Sequence, residues 1–249
     1  MPLQTVEPRR LYRQIAQQIR SLITAGEFAP GQRLPAERDL ARQLGVSRPS
    51  VREALIALEV EGWVEVLTGS GVYVLDRTVR EAATLTKPQL SPHEWGPLEL
   101  IRARRVVEGE IASMACTHAK LAHTNAMASA IASMQRDAER GVLPLDGDRA
   151  FHTALVESCG NIVLVETVQR FWDSRRSPLF EALGGHFETV DSWRAAIAEH
   201  QTILNAVLSR NPQAARLAMH EHMDRSHSRF NVSWSQTTQH KGLKMPPAP

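Results

Sequence analysis

The chain has 249 residues and a formal net charge of +2 at pH 7. That is long enough for two domains and too near neutral for charge alone to name a partner. No run of about 18 apolar residues is present to span a bilayer, and the N-terminus MPLQTVEPRR lacks the apolar core of a secretory signal, so no membrane contact and a cytoplasmic setting are expected. The two cysteines, Cys116 and Cys159, form no CxxC pair; they argue against a disulfide framework or cysteine zinc site and read as small buried thiols.

From Leu11 to Ala25 the apolar residues Leu11, Ile15, Ile19, Leu22 and Ile23 recur at helical spacing, and Gly26 breaks the pattern. The turn-rich stretch EFAPGQRLP follows, and AERDLARQLG then predicts a second helix capped by Gly45. Ser47 is a natural N-cap for a third helix to about Glu61, with Val51, Leu55 and Leu58 on its inner face. A helix, a tight turn and a second capped helix is the pattern of a helix-turn-helix. In WVEVLTGSGVYVL two β-rich runs flank the turn residues Thr68 to Gly71, which predicts a hairpin, the wing of a winged helix. Residues 77–93 lose apolar periodicity and carry Lys87-Pro88 and Ser91-Pro92, as a linker does.

The remainder reads as helix after helix, with connections at GVLPLDG, SCGN, LGGHF and RNP. An all-α antiparallel bundle over 94–235 is expected, followed by a polar, proline-ended and disordered tail over 236–249. With the winged helix-turn-helix over 1–76, the fold class is mainly α.

Charge within the first third is more telling than the total. No lysine precedes Lys87, and five arginines lie between Arg33 and Arg52, whereas Glu53 to Asp76 carries five acids and no base. The first domain therefore has one arginine-rich face. Arg48, Ser50 and Arg52 fall in the first turns of the third helix, where arginine opposes the macrodipole at about 0.3–1 kcal/mol each. A polyanion supplies the compensating reason. The start of a recognition helix enters the major groove, where arginine reaches base edges while Ser47, Ser50 and free backbone N–H groups take phosphates.

LPAERDLARQLGVSRPSVREALIALEVEGWVEVLTGSGVYV resembles the N-terminal winged helix of the GntR family of bacterial transcription regulators. The resemblance implies that Arg38 of the PAER segment and Arg48 and Arg52 of the recognition helix contact operator DNA, with the wing tip Gly69, Ser70 and Gly71 in the minor groove. Pro49 stands where many relatives carry threonine, removing one hydroxyl and one N–H from the helix start.

In the second domain, DGDRAFHTALVESCGN places Asp148 and His152 four residues apart on one helical face, which is metal-ligand spacing. His200 shares its face with Ile203, Leu204 and Val207, and His222 aligns with Ala215 and Ala218; both should point inward, while His220 falls with Arg216 on another face. Such a pair is common on ordinary helices, and a lone inward histidine is more often a hydrogen-bonded core residue than a ligand. Bundle interiors are nonetheless where facing helices assemble metal sites.

ELIRARRVVEGEIASMA, DRAFHTALVESCGN and EHQTILNAVLSRNPQAARLAMHEHM resemble the FCD ligand-binding domain of the FadR subfamily. The resemblance implies a divalent metal held by Asp148, His152, His200 and His222, with three imidazoles favouring zinc or nickel. It also implies a small carboxylate effector, with Arg104 facing the pocket; the alternative for Arg104 is an ion pair with Glu108 one turn on. GPLELIRARRVVEGEIASMA and FWDSRRSPLF are most similar to the hexuronate-responsive branch, which implies a sugar acid. Trp172, Arg175 and Arg176 then form either a pocket wall or a dimer surface.

The function so implied is that of a homodimeric, ligand-released repressor on a pseudo-palindromic operator, and not of an enzyme. A metal-sensing regulator, or one responsive to another hydroxy or amino acid, is the alternative. A metallohydrolase is least favoured, since no HExxH glutamate accompanies the histidines.

Overall fold

The computed structural model describes residues 10–76, 90 and 94–230. The linker expected over 77–93, apart from Leu90, and the tail expected over 236–249 lie outside the described residues. Internal contacts divide the chain into two compact units. The first takes in the described residues up to Leu98 together with Ser177–Leu183, and the second Glu99–Arg176 and the described residues from Gly184 onward.

In the first unit α1 (Leu11–Thr24) lays Tyr12, Ile15, Ile19 and Ile23 against α3 (Arg48–Val60), and α2 (Glu37–Leu44) packs on α3 from another side. The third helix is consequently buried nearly all round from Val51 to Leu58. The α2–α3 turn depends on Gly45, whose φ of +66° closes α2 in the left-handed region that other residues enter only at a cost. Ser47 then caps α3, its Oγ accepting the Ser50 N–H at 3.3 Å. Strands β1 (Val64–Leu67) and β2 (Gly71–Val74) pair antiparallel from Val64↔Val74 to Leu67↔Gly71. Their valines alternate inward, with Val64, Val66, Val72 and Val74 all buried.

The second unit contains no strand among its described residues. Its helices are α4 (Pro97–His118), α5 (Leu121–Glu139), α6 (Leu145–Glu157), α7 (Ile162–Ser174), α8 (Pro178–Phe187), α9 (Val190–Leu208) and α10 (Pro212–Arg229), of which α4 and α8 have residues in both units. Side-chain caps start several of them: Asn161 on α7, Ser177 on α8, Thr189 with Ser192 on α9, and Asn211 followed by Pro212 on α10. Helix α5 packs on α6 and α9, α6 on α7, and α9 on α10, around a core of Ile111, Met127, Met134, Phe151, Leu155 and Ile203. Gly147 sets the α5–α6 spacing, since a Cβ there would fall 2.6 Å from Met134 Cγ and 3.1 Å from the Ala130 carbonyl oxygen. That close approach draws the next residue, Asp148, into the interior. Cys116 is buried as expected, but Cys159 is only half-buried; both thiols are free.

Candidate DNA-binding groove and metal centre

The first unit carries a groove of about 370 Å³ lined by Arg33 to Arg38, Arg48, Leu55 and the wing residues Gly69 to Val72. It gathers Arg38, Arg48, Gly69, Ser70 and Gly71, which the sequence assigned from three separate segments. Arg38 is 79% exposed and meets only Asp39, at 3.7 Å, while Arg48 at 46% leans toward Glu37 at 3.9 Å. Both guanidiniums remain available to an anion. Ser47 Oγ is already engaged by the Ser50 N–H and lies 2.8 Å from Ser50 Oγ, so any phosphate contact by these hydroxyls competes with the helix cap.

Arg52 departs from the expectation. Its side chain is 1% exposed and grips Glu37 with two bonds of 2.6 Å, Nε to Oε1 and Nη2 to Oε2. The physical reason is position. Four residues after Arg48, Arg52 lies one turn deeper, against α2, where the first residue of α2 offers a buried carboxylate. The pair ties α2 to α3 and neutralises Glu37, so the Arg52 side chain holds the third helix in place.

In the second unit Asp148, His152, His200 and His222 converge. One donor atom from each lies within 4.8 Å of every other, and all four residues are buried. Asp148 Oδ1 is 3.0 Å from His200 Nε2 and 3.5 Å from His152 Nε2, and those two nitrogens are 3.2 Å apart. Nδ1 of His200 is hydrogen-bonded to the Ala196 carbonyl and that of His222 to Glu199 Oε2, each at 2.7 Å, while His152 Nδ1 meets Glu108 Oε2 in a close ion pair without hydrogen-bond geometry. Outer partners of this kind fix the tautomer and leave the Nε2 lone pairs as ligands. Two lone pairs 3.2 Å apart beside a carboxylate oxygen that accepts no hydrogen bond need a positive charge among them. The cluster could therefore hold a metal ion.

The electrostatics agree with this arrangement at Asp148, His200 and His222, whereas His152 is held toward its protonated form. Burial pushes the Asp148 carboxyl up, but the Arg175 guanidinium 2.9 Å from Oδ2 and the two histidines hold it well below the usual carboxylate range. Burial lowers His200, and burial with the neighbouring rings of His200 and His152 lowers His222 much further, so both are neutral and able to ligate. Burial also disfavours charge on His152, yet Glu108 outweighs it and raises that ring. Glu108 itself, pushed up by burial, is drawn down to about 2 by Arg104 and His152. It stays ionised between them.

Arg104 forms the ion pair with Glu108 and keeps one nitrogen unpaired. Its Nε donates to Glu108 Oε1 at 2.6 Å, while Nη2 is buried with no hydrogen-bond acceptor. Trp172 lies beneath it, 4.5 Å from ring centroid to guanidinium carbon and 5.3 Å from the His152 ring, and the indole Nε1 is likewise buried without an acceptor. Arg175 covers the same indole at 5.1 Å. Arg176, by contrast, is at the surface, paired with Asp146.

Residues 11–74 match the family of bacterial regulatory proteins called gntR, and residues 99–225 match the FCD domain. The chain belongs to the GntR family. This GntR regulator is 35% identical over 225 residues to the Exu regulon transcriptional regulator of Escherichia coli K12, covering 89% of the chain and 85% of the relative. It is 34% identical to the Uxu operon transcriptional regulator of the same strain, covering 87% and 85%. A solved structure, Streptococcus agalactiae GntR, is similar at 22% identity and a TM-score of 0.45, over 87% of this chain and 98% of that one. The protein is thus a DNA-binding transcription regulator and not an enzyme. None of its described helices is long and apolar enough to cross a membrane.

Sequence reasoning about this GntR regulator missed the partners that orient its groups. Glu199 precedes His200 on α9 and, as the neighbour of a buried ligand candidate, offers no periodicity signal of its own; its own partners Arg225 and Arg229 lie on another helix. Glu37, inside the PAER motif, and Arg33, two residues before it, carry charges that shape the groove, yet neither stands out by spacing.

Proposed function

We propose that the protein is a homodimeric repressor acting in the cytoplasm, released from a pseudo-palindromic operator by a small carboxylate such as a sugar acid. The winged helix over 1–76 reads DNA through Arg38, Arg48 and the wing tip, and the FCD domain over 94–235 binds the effector and dimerises. Asp148, His152, His200 and His222 hold a divalent cation, zinc or nickel by their donor set. When bound, that cation supplies open coordination positions suited to a carboxylate.

The observation that carries this reading is the pair of orphaned donors beside the ligand set. A buried N–H left without an acceptor costs about 1–3 kcal/mol, and Arg104 Nη2 and Trp172 Nε1 both stand so. An effector with several oxygens, as a sugar acid has, satisfies them. Glu108 links Arg104 to His152, so a ligand that draws on Arg104 acts on the same network that orients a metal ligand. Release of DNA then requires that the effector favour one conformation over the other, by about 5.5 kcal/mol for a near-complete switch.

The test uses purified full-length protein and an operator selected by it from a randomised duplex pool, with metal content assayed on the same sample. Release by glucuronate or galacturonate, lost after chelation, is the expected result. Tight binding indifferent to every hexuronate rejects the sugar acid. A change in operator affinity on chelation alone, with no effector added, makes the metal itself the signal.

A further inference from the structure

The groove beside the wing contains a third arginine that neither the recognition motif nor the family resemblance assigned. Arg33 is carried by a segment that adds a short edge to the hairpin: the Leu34 N–H donates to the Val72 carbonyl at 2.8 Å, and the Val74 N–H to the Gln32 carbonyl at 3.0 Å. Arg33 itself pairs across with Tyr73 in an antiparallel bridge. Because Leu34 points into the core, alternation turns Arg33 outward, and its side chain rises from a fixed backbone instead of a loose loop.

Two observations show where its guanidinium goes and what it lacks. A Cβ at Gly71 would fall 2.4 Å from Arg33 Nε and 3.0 Å from Cζ, so the glycine is what lets the guanidinium lie across the start of β2, next to Gly69 and Ser70. The exposed arginines around it lean on acids, Arg38 on Asp39, Arg48 on Glu37 and Arg42 on Asp39. Arg33 forms no ion pair among the described residues. The one carboxylate in the groove lining, Glu37, is already neutralised by Arg52. Arg33, Arg38 and Arg48 therefore leave the groove with a cationic excess that suits a polyanion.

We propose that Arg33 is a DNA-contacting residue whose guanidinium, laid over Gly71, takes a backbone phosphate beside the wing. A phosphate is favoured over a base edge because Arg33 stands on the wing sheet and not on the recognition helix, and because its charge is unneutralised and matches phosphate bidentately. Its binding energy comes from counterion release, which is independent of base sequence.

The experiment measures the affinity of the full chain for two duplexes across a salt series: an operator selected from a randomised pool by the wild-type protein, and a mixed-sequence duplex. Arg33→Ala is expected to weaken both by the same factor and to reduce the slope of log K against log salt by about 0.9 for each phosphate that is no longer neutralised. Arg33→Lys should keep most of the slope. An unchanged slope in Arg33→Ala overturns the proposal. A loss confined to the selected operator overturns it as well, since that is the behaviour of a base contact.

Discussion

Two buried arginine–glutamate pairs, one in each unit, look alike and do different things. Arg52 and Glu37 in the winged helix meet through two 2.6 Å bonds and close on each other. Arg104 and Glu108 in the bundle meet through one, leaving Arg104 Nη2 buried and unsatisfied while Glu108 turns its other oxygen to His152. The first is a fastener between α2 and α3. The second is an incomplete network, and incompleteness in a buried polar network points to a missing partner. Whether an arginine is structural or functional is told less by its motif than by which of its donors remain unpaired.

The largest effect expected from breaking this comparison is at the closed pair. Arg52→Ala strands the Glu37 carboxylate in the core and should cost about 3–5 kcal/mol in urea unfolding. The double variant Arg52→Met with Glu37→Leu removes both charges and should recover most of that loss; if it does not, the pair does more than fasten. Next in size, Arg48→Ala should lower operator affinity by about 1–3 kcal/mol and relax specificity at one base pair, read by competition among substituted duplexes. An unaltered base preference would move recognition away from the start of α3.

The open pair gives a smaller and cleaner effect. Trp172→Phe keeps the ring under Arg104 and removes only the Nε1 donor, so melting should change little while effector affinity falls about tenfold, close to 1.4 kcal/mol. Effector affinity equal to wild type would return Trp172 to a packing role. The smallest effect concerns pH in chelated protein. His200 and His222 have lowered pKa values in the folded state, so on acidification the unfolded chain takes up protons that the fold refuses, and stability falls below about pH 6.5. His152, raised by Glu108, works in the opposite direction and blunts the fall. Melting temperature should therefore decline on acidification below about pH 6.5, and a flat profile would show that the fold does not hold His200 and His222 neutral.

The elements of the winged helix were legible because each is marked locally. Ser47 and Gly45 are short-range signals for the ends of helices, and the alternating valines of β1 and β2 mark a hairpin without reference to the rest of the chain. The convergence of the buried aspartate and three histidines was legible for a similar reason, since Asp148 and His152 share a face by spacing, and the apolar neighbours of His200 and His222 show which way each points. The ion pair of Arg52 was not legible, because local pattern shows only that it follows Arg48 by one turn. Its burial depends on α2, and on a carboxylate fifteen residues earlier.

Helical period, caps and turn residues are properties of a few consecutive side chains, and they determined the order and kind of elements in advance of any structure. The resemblance of whole segments supplied the family and the expected chemistry of its ligands in the same way. Only tertiary packing decided which charges survive. Glu37 closes on Arg52 but meets Arg48 only at 3.9 Å, Gly71 admits Arg33, and Glu108 and Ala196 turn two histidines so that their Nε2 atoms meet at Asp148, with His222 close by. Such choices rest on distances of about 3 Å between groups far apart in the chain, where desolvation and pairing are settled together.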